Sequence, residues 1–110
     1  MRLLVNTESV QFTVTRNPEP KTDQQGKQRF ERDTNLPMWS IQVMALDAKG
    51  GEMLNVTVVS EAKPAVTVGE LVVPVELEAL PWANTDRDGK VRSGIAYRAS
   101  ELKSLVPASV

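Results

Sequence analysis

The sequence predicts an all-β fold, on three observations. Its patterned stretches are rich in β-branched and aromatic residues. Apolar and polar residues alternate with period two along them, as in half-buried strands. Glycine, proline, asparagine and aspartate cluster between them, as turns require.

The first strand is expected from about Val10 to Arg16, with Val10, Phe12 and Val14 on one face. A short pairing segment at Leu3-Leu4-Val5 could precede it. Asn17-Pro18-Glu19-Pro20 is expected to break the strand, since proline brings no N–H to a ladder. A polar stretch follows to Asn35, with Gly26 near its middle and Phe30 as its only aromatic. It reads as a long, flexible arm over about residues 17–35.

The second strand covers Pro37 to Leu46, with Trp39, Ile41 and Val43 in phase. Asp47-Ala48-Lys49-Gly50-Gly51 is a hairpin turn, and Glu52 to Ser60 is the third strand. The link from Glu61 to Gly69 has room for one helical turn, although Val66, Thr67 and Val68 disfavour more. Leu71 to Ala83 reads as one long fourth strand, with an edge position or bulge at Pro74. Asn84 to Lys90 is a turn-rich connector. Val91 to Ala99 is the fifth strand, with Ile95 and Tyr97 on one face and Gly94, Ala96 and Arg98 on the other. Ser100 to Pro107 is a half-strand or a short helix, and residues 105–110 a frayed tail.

A chain of 110 residues is one domain. Five antiparallel strands in that length must cover a sheet face and manage their edges. Their order, with a long first loop and a long connector before the fourth strand, fits a five-stranded Greek-key OB-fold barrel carrying an arm between strands 1 and 2. An SH3-like barrel and a small sandwich are the competing architectures.

The sequence contains neither Cys nor His. Disulfides, thiolate nucleophiles, the commonest general base and Cys/His zinc sites are therefore excluded. Asp86-Arg87-Asp88-Gly89 loosely matches a calcium loop, but the other oxygen ligands are missing and the stretch reads as a turn. There is no glycine-rich phosphate loop and no paired acid in a context that would tune its pKa. The expectation is a non-enzymatic binding protein with no cofactor and no metal. The N-terminal apolar run is too short for a signal peptide, and no apolar run reaches the ~20 residues of a membrane span. A soluble cytoplasmic protein without membrane contact is expected.

Net charge is −1, yet positive charge collects in two segments: Arg16, Lys21, Lys27, Arg29 and Arg32, then Arg87, Lys90, Arg92, Arg98 and Lys103. OB-fold binders of single strands combine basic grooves with aromatic stacking platforms. Phe30 lies beside Arg29 and Arg32, Trp39 opens the second strand, Trp82 precedes the basic connector, and Tyr97 adjoins Arg98. Trp39, Trp82 and Tyr97 serve equally well as barrel-end or core residues. With Lys27, Arg29 and Arg32 on one loop and Arg87, Lys90 and Arg92 on another, the expected geometry is a groove with two basic walls. Arg16, Lys21 and Arg98 complete the candidate nucleic-acid-binding set.

Gln11-Phe12-Thr13-Val14-Thr15, Trp39-Ser40-Ile41-Gln42-Val43-Met44-Ala45-Leu46, Leu54-Asn55-Val56-Thr57-Val58, Leu77-Glu78-Ala79-Leu80-Pro81-Trp82 and Ser93-Gly94-Ile95-Ala96-Tyr97-Arg98-Ala99 together resemble a family of small actinobacterial proteins. That family comprises regulatory proteins of plasmids and integrative conjugative elements, the plasmid replication, integration and excision activators. A weaker likeness, in Gln25-Gly26-Lys27-Gln28-Arg29-Phe30 and Leu105-Val106-Pro107, is to filamentous-phage single-stranded-DNA-binding proteins. That second resemblance implies a homodimer whose arm residues Lys27, Arg29 and Phe30 touch DNA. Two functions are thus expected as alternatives. One is single-stranded-DNA binding in the replication or transfer of a mobile element. The other is a regulatory module that contacts a replication or transfer protein, consistent with the acidic remainder of the chain.

Overall fold

The computed structural model describes residues 2–105, and among these it is all-β, with no helix. Eight strands form one curled half-barrel sheet: β1 (Leu3–Leu4), β2 (Gln11–Pro20), β3 (Met38–Asp47), β4 (Gly50–Val59), β5 (Leu71–Val75), β6 (Glu78–Thr85), β7 (Val91–Ala99) and β8 (Glu101–Ser104). Period-two patterning decides which face is buried. Phe12 and Val14 of β2, Ile41 and Val43 of β3, and Leu54, Val56 and Val58 of β4 point into the curl. Val10, Trp39 and Tyr97 pack against this core while half-buried.

The β3–β4 hairpin pairs Asp47 with Gly50 across Ala48-Lys49. The Asp47 carboxylate accepts the Lys49 N–H at 2.8 Å. Gly50 takes φ 129°, which L side chains avoid, so glycine is required there.

Sheet order is β1-β6-β7-β4-β3-β2-β5-β8. All ladders are antiparallel except β4–β7, which is parallel over Val56–Val58 and Tyr97–Ala99. β5 and β6 lie at opposite ends of this order, yet only Glu76 and Leu77 separate them in the chain. So short a link spans at most about 10 Å, so the sheet must curl until its two ends meet. Glu76 turns the corner at φ 52°, a left-handed conformation that disfavours side chains by ~1–2 kcal/mol. Leu77, 2% exposed, anchors the corner in the core.

Two sequence expectations are corrected, on the fourth and first strands, and two are refined, on the 61–69 link and on Ile95. The fourth strand is two, and it bends at Glu76 rather than faulting at Pro74. Pro74 pairs with Leu102 of β8 beyond the point where the β2–β5 ladder has ended, so its missing N–H faces no partner strand. The first strand continues through Pro18 to Pro20. Register irregularities between Val14 and Arg16 and between Arg16 and Glu19 absorb the prolines. The 61–69 link forms no helical turn, but it delivers Val66 into the core. Ile95 shares a strand face with Tyr97 but lies beyond the core, 53% exposed on the β6–β7 ribbon. The half-strand after Ser100 is β8; the expected tail lies outside the described residues beyond Leu105.

Candidate functional site

The outer face of the curl is built from the residues that alternate with the core. Ser40 and Thr57 are partners across β3–β4, and Thr57 is in turn opposite Arg98 of β7. Gln42 and Asn55 form the next pair, then Met44 and Met53. The β4–β7 ladder stops at Val56 and Tyr97. Before it, Glu52–Asn55 and Gly94–Ala96 flank a groove of about 820 Å³.

One side of this groove is basic. Lys21, just past β2, reaches across to Thr57, the only buried polar residue in the described part. Its Nζ donates to Thr57 Oγ1 at 3.0 Å. Main-chain bonds hold Lys21 in place: its N–H donates to Met38 O at 3.0 Å, and its carbonyl accepts the Arg29 N–H at 2.7 Å. Burial, then the nearby Arg29 and Arg98 charges, push the Lys21 pKa down. Arg98 is ion-paired with Glu31, and its own pKa is lowered by burial and then by Arg2. Arg16 also lines the groove, its guanidinium 3.5 Å from Glu19 on the exposed surface.

The other side is aromatic. Trp82 of β6 is paired with Gly94 of β7 and lies over it, 44% exposed. A Cβ on residue 94 would stand 2.9 Å from Trp82 Cζ2, so only glycine leaves the indole flat on the ribbon. Between the two sides lie Ser40, Asn55 and Thr57, side chains able to donate and accept hydrogen bonds.

Four of the sequence-predicted residues, Arg16, Lys21, Trp82 and Tyr97, line this groove, and Arg29 and Arg98 adjoin Lys21. Tyr97 does so from the core side, where it also borders a smaller apolar hollow of about 350 Å³ with Phe12, Leu54 and Leu77. Trp39 is directed inward instead, with its Nε1 donating to Ser60 O at 2.9 Å. Lys27, Phe30 and Arg32 are exposed on the 21–37 segment, outside the groove. That segment folds into two turns. Asp23 accepts the Gln25 and Lys27 N–H groups, and Glu31 O accepts the Asn35 N–H.

Arg87 and Lys90 sit exposed on the β6–β7 turn, and Arg92 is exposed at the start of β7, opposite Asn84. Asp86 Oδ1 accepts the Asp88 and Lys90 N–H groups at 3.0 Å, the expected turn, with Arg92 3.6 Å from its other oxygen. The walls thus come from strands and strand ends, not from the two loops. Sequence reasoning missed Ser40, Asn55, Thr57, Met53 and Gly94. The signal was present: Asn55 and Thr57 alternate with buried Leu54, Val56 and Val58.

Among the described residues no Asp/Glu cluster is arranged to hold a metal, and no helix is long and apolar enough to cross a membrane. No protein-family model matches the chain, and no curated protein matches it significantly.

Proposed function

We propose that the protein is a non-enzymatic single-stranded-DNA-binding protein on a five-stranded OB-type barrel, serving the replication or transfer of a plasmid or integrative element. One observation carries the binding reading: a groove with Lys21 and Arg16 on one side, exposed Trp82 on the other, and hydrogen-bonding side chains between them. Phosphates would follow the basic side while a base stacks on the indole. The pairing pattern supports the barrel. With β5 and β6 taken as one bent strand, the main strands pair first–second–third–fifth–fourth–first, the third and fifth in parallel. The groove then falls on the second and third strands, between the first and last loops, where OB barrels bind oligonucleotides. The mobile-element setting and a homodimer rest on the resemblances alone; sedimentation of the free protein tests the dimer.

Titration with short oligonucleotides should quench tryptophan emission, and the affinity should fall with salt. No quenching and no salt-dependent binding with any single strand overturns the reading. The regulatory-module reading draws on Val91 and Ile95, exposed on the β6–β7 ribbon. It predicts capture of one protein partner that nuclease treatment leaves intact.

Lys21→Met separates binding from stability. It should weaken single-strand binding and flatten the salt dependence by about 0.7 in log–log slope, one phosphate's worth. Stability should move differently. Folding lowers the Lys21 pKa, so between that lowered value and the ordinary 10.5 the unfolded chain holds the proton more tightly. The Lys21 contribution to stability therefore rises with pH across that window. Denaturation midpoints measured from neutral to alkaline pH should show this rise in the parent protein and lack it in Lys21→Met.

A further inference from the structure

We infer that Glu31 is an internal counter-ion that occupies Arg98 in the free protein and yields it to a backbone phosphate of the bound strand. This rests on the single-strand reading and names the regulation of that same groove. The geometry is specific. Arg98 lies beside Thr57 across the β4–β7 ladder, and Thr57 is the residue that Lys21 Nζ meets at 3.0 Å. Arg29 is tied to Lys21 through the main chain. Lys21, Arg29 and Arg98 therefore gather around Thr57, where the groove ends, and Arg98 and Glu31 themselves line an adjoining hollow of about 290 Å³. Glu31 is ion-paired with Arg98, while Glu78, opposite Arg98 on β6, makes no ion pair among the described residues.

Glu31 is presented by a turn rather than by the sheet. Its N–H donates to Leu36 O, its carbonyl accepts the Asn35 N–H, and its Oε1 accepts the Thr34 hydroxyl at 3.1 Å, leaving Oε2 for Arg98. A turn held mainly by its own bonds can move away without unfolding the sheet. Arginine stays charged at any working pH and binds phosphate in the same forked geometry as carboxylate, so the two anions compete for one donor set. The mutual repulsion of these cations favours an anion of either kind at that position, and the partial burial of Arg98 makes it costly to leave without one.

When a phosphate replaces Glu31, the freed carboxylate recruits a solution cation and offsets part of the counter-ion release. Glu31→Gln removes that offset and keeps an oxygen for Thr34. It should bind an oligothymidylate at least about 3-fold more tightly at low salt, with a log–log salt slope steeper by up to about 0.7. Two comparisons isolate the exchange. Asp33→Asn removes a charge from the same turn without touching Arg98 and should leave both quantities nearly unchanged. In an Arg98→Gln background, Glu31→Gln should have no effect. In the unmodified protein, hydrogen exchange at the Asn35 amide should quicken on binding, as the turn is released.

The inference is overturned if Glu31→Gln gains nothing, if Asp33→Asn gains as much, if the gain survives Arg98→Gln, or if the Asn35 amide slows. Those outcomes in a parent protein that binds the oligonucleotide leave the single-strand reading standing. A parent protein that does not bind it at all removes both.

Discussion

Trp82→Ala is expected to weaken single-strand binding by roughly 5- to 150-fold, the equivalent of the ~1–3 kcal/mol that one base stacked on an aromatic ring contributes. An indole 44% open to solvent on a two-stranded ribbon contributes little to the core, so its loss should leave the melting temperature almost unchanged. Its orientation is set by Gly94, where a Cβ would collide with the ring. Gly94→Val should therefore tilt the indole and reproduce part of the loss with Trp82 still present. Trp39 supplies the control within the same spectrum. Its Nε1 is bonded to Ser60 O, and its ring packs on the core, so emission from the Trp82→Ala variant should hardly respond to an oligonucleotide. Binding of the variant within 2-fold of the parent would remove Trp82 as the platform.

Much of the sheet was legible because period-two alternation needs no tertiary context. Phe12 and Val14, Ile41 and Val43, and Val56 and Val58 are buried as their spacing requires. The break at Glu76–Leu77 was not legible, because it depends on a left-handed residue that carries no glycine signature. Pro74 drew attention instead, yet its lost hydrogen bond falls where no strand competes for it. The same limit applied to the site. Charge clustering on loops was visible, but exposed Lys27 and Arg32 do not line the groove. Lys21 does, because its main-chain bonds to Met38 and Arg29 fix it beside Thr57. Those bonds join residues from three places in the sequence, and no local pattern announces them. The Trp82–Gly94 pair is likewise a matter of cross-strand register.

Leu77→Ala is expected to lower unfolding free energy by about 2–5 kcal/mol, the usual range for a buried leucine cut to alanine. Leu77 is one of the largest fully buried side chains, and it sits in the two-residue link that joins the ends of the curled sheet. Its carbonyl also accepts the Val5 N–H at 2.8 Å, tying down the segment that follows β1. Two effects set where in the range it falls. Truncation removes apolar contact at the corner that Glu76 already strains. Against this, Leu77 lines the 350 Å³ hollow, which communicates with solvent, so the new space enlarges an existing opening rather than creating a sealed void. The lower half of the range follows. Ile41→Ala, at a residue fully enclosed between strands, should cost more for a similar loss of volume. Urea titrations of the two variants should show both midpoints falling with unchanged slope, Ile41→Ala further than Leu77→Ala. The reverse order would mean that the corner, not the centre of the sheet, carries the larger share of the core's stability. Binding tested well below the Leu77→Ala midpoint should be retained, because Arg16, Lys21 and Trp82 of the groove stand apart from the hollow that Leu77 lines.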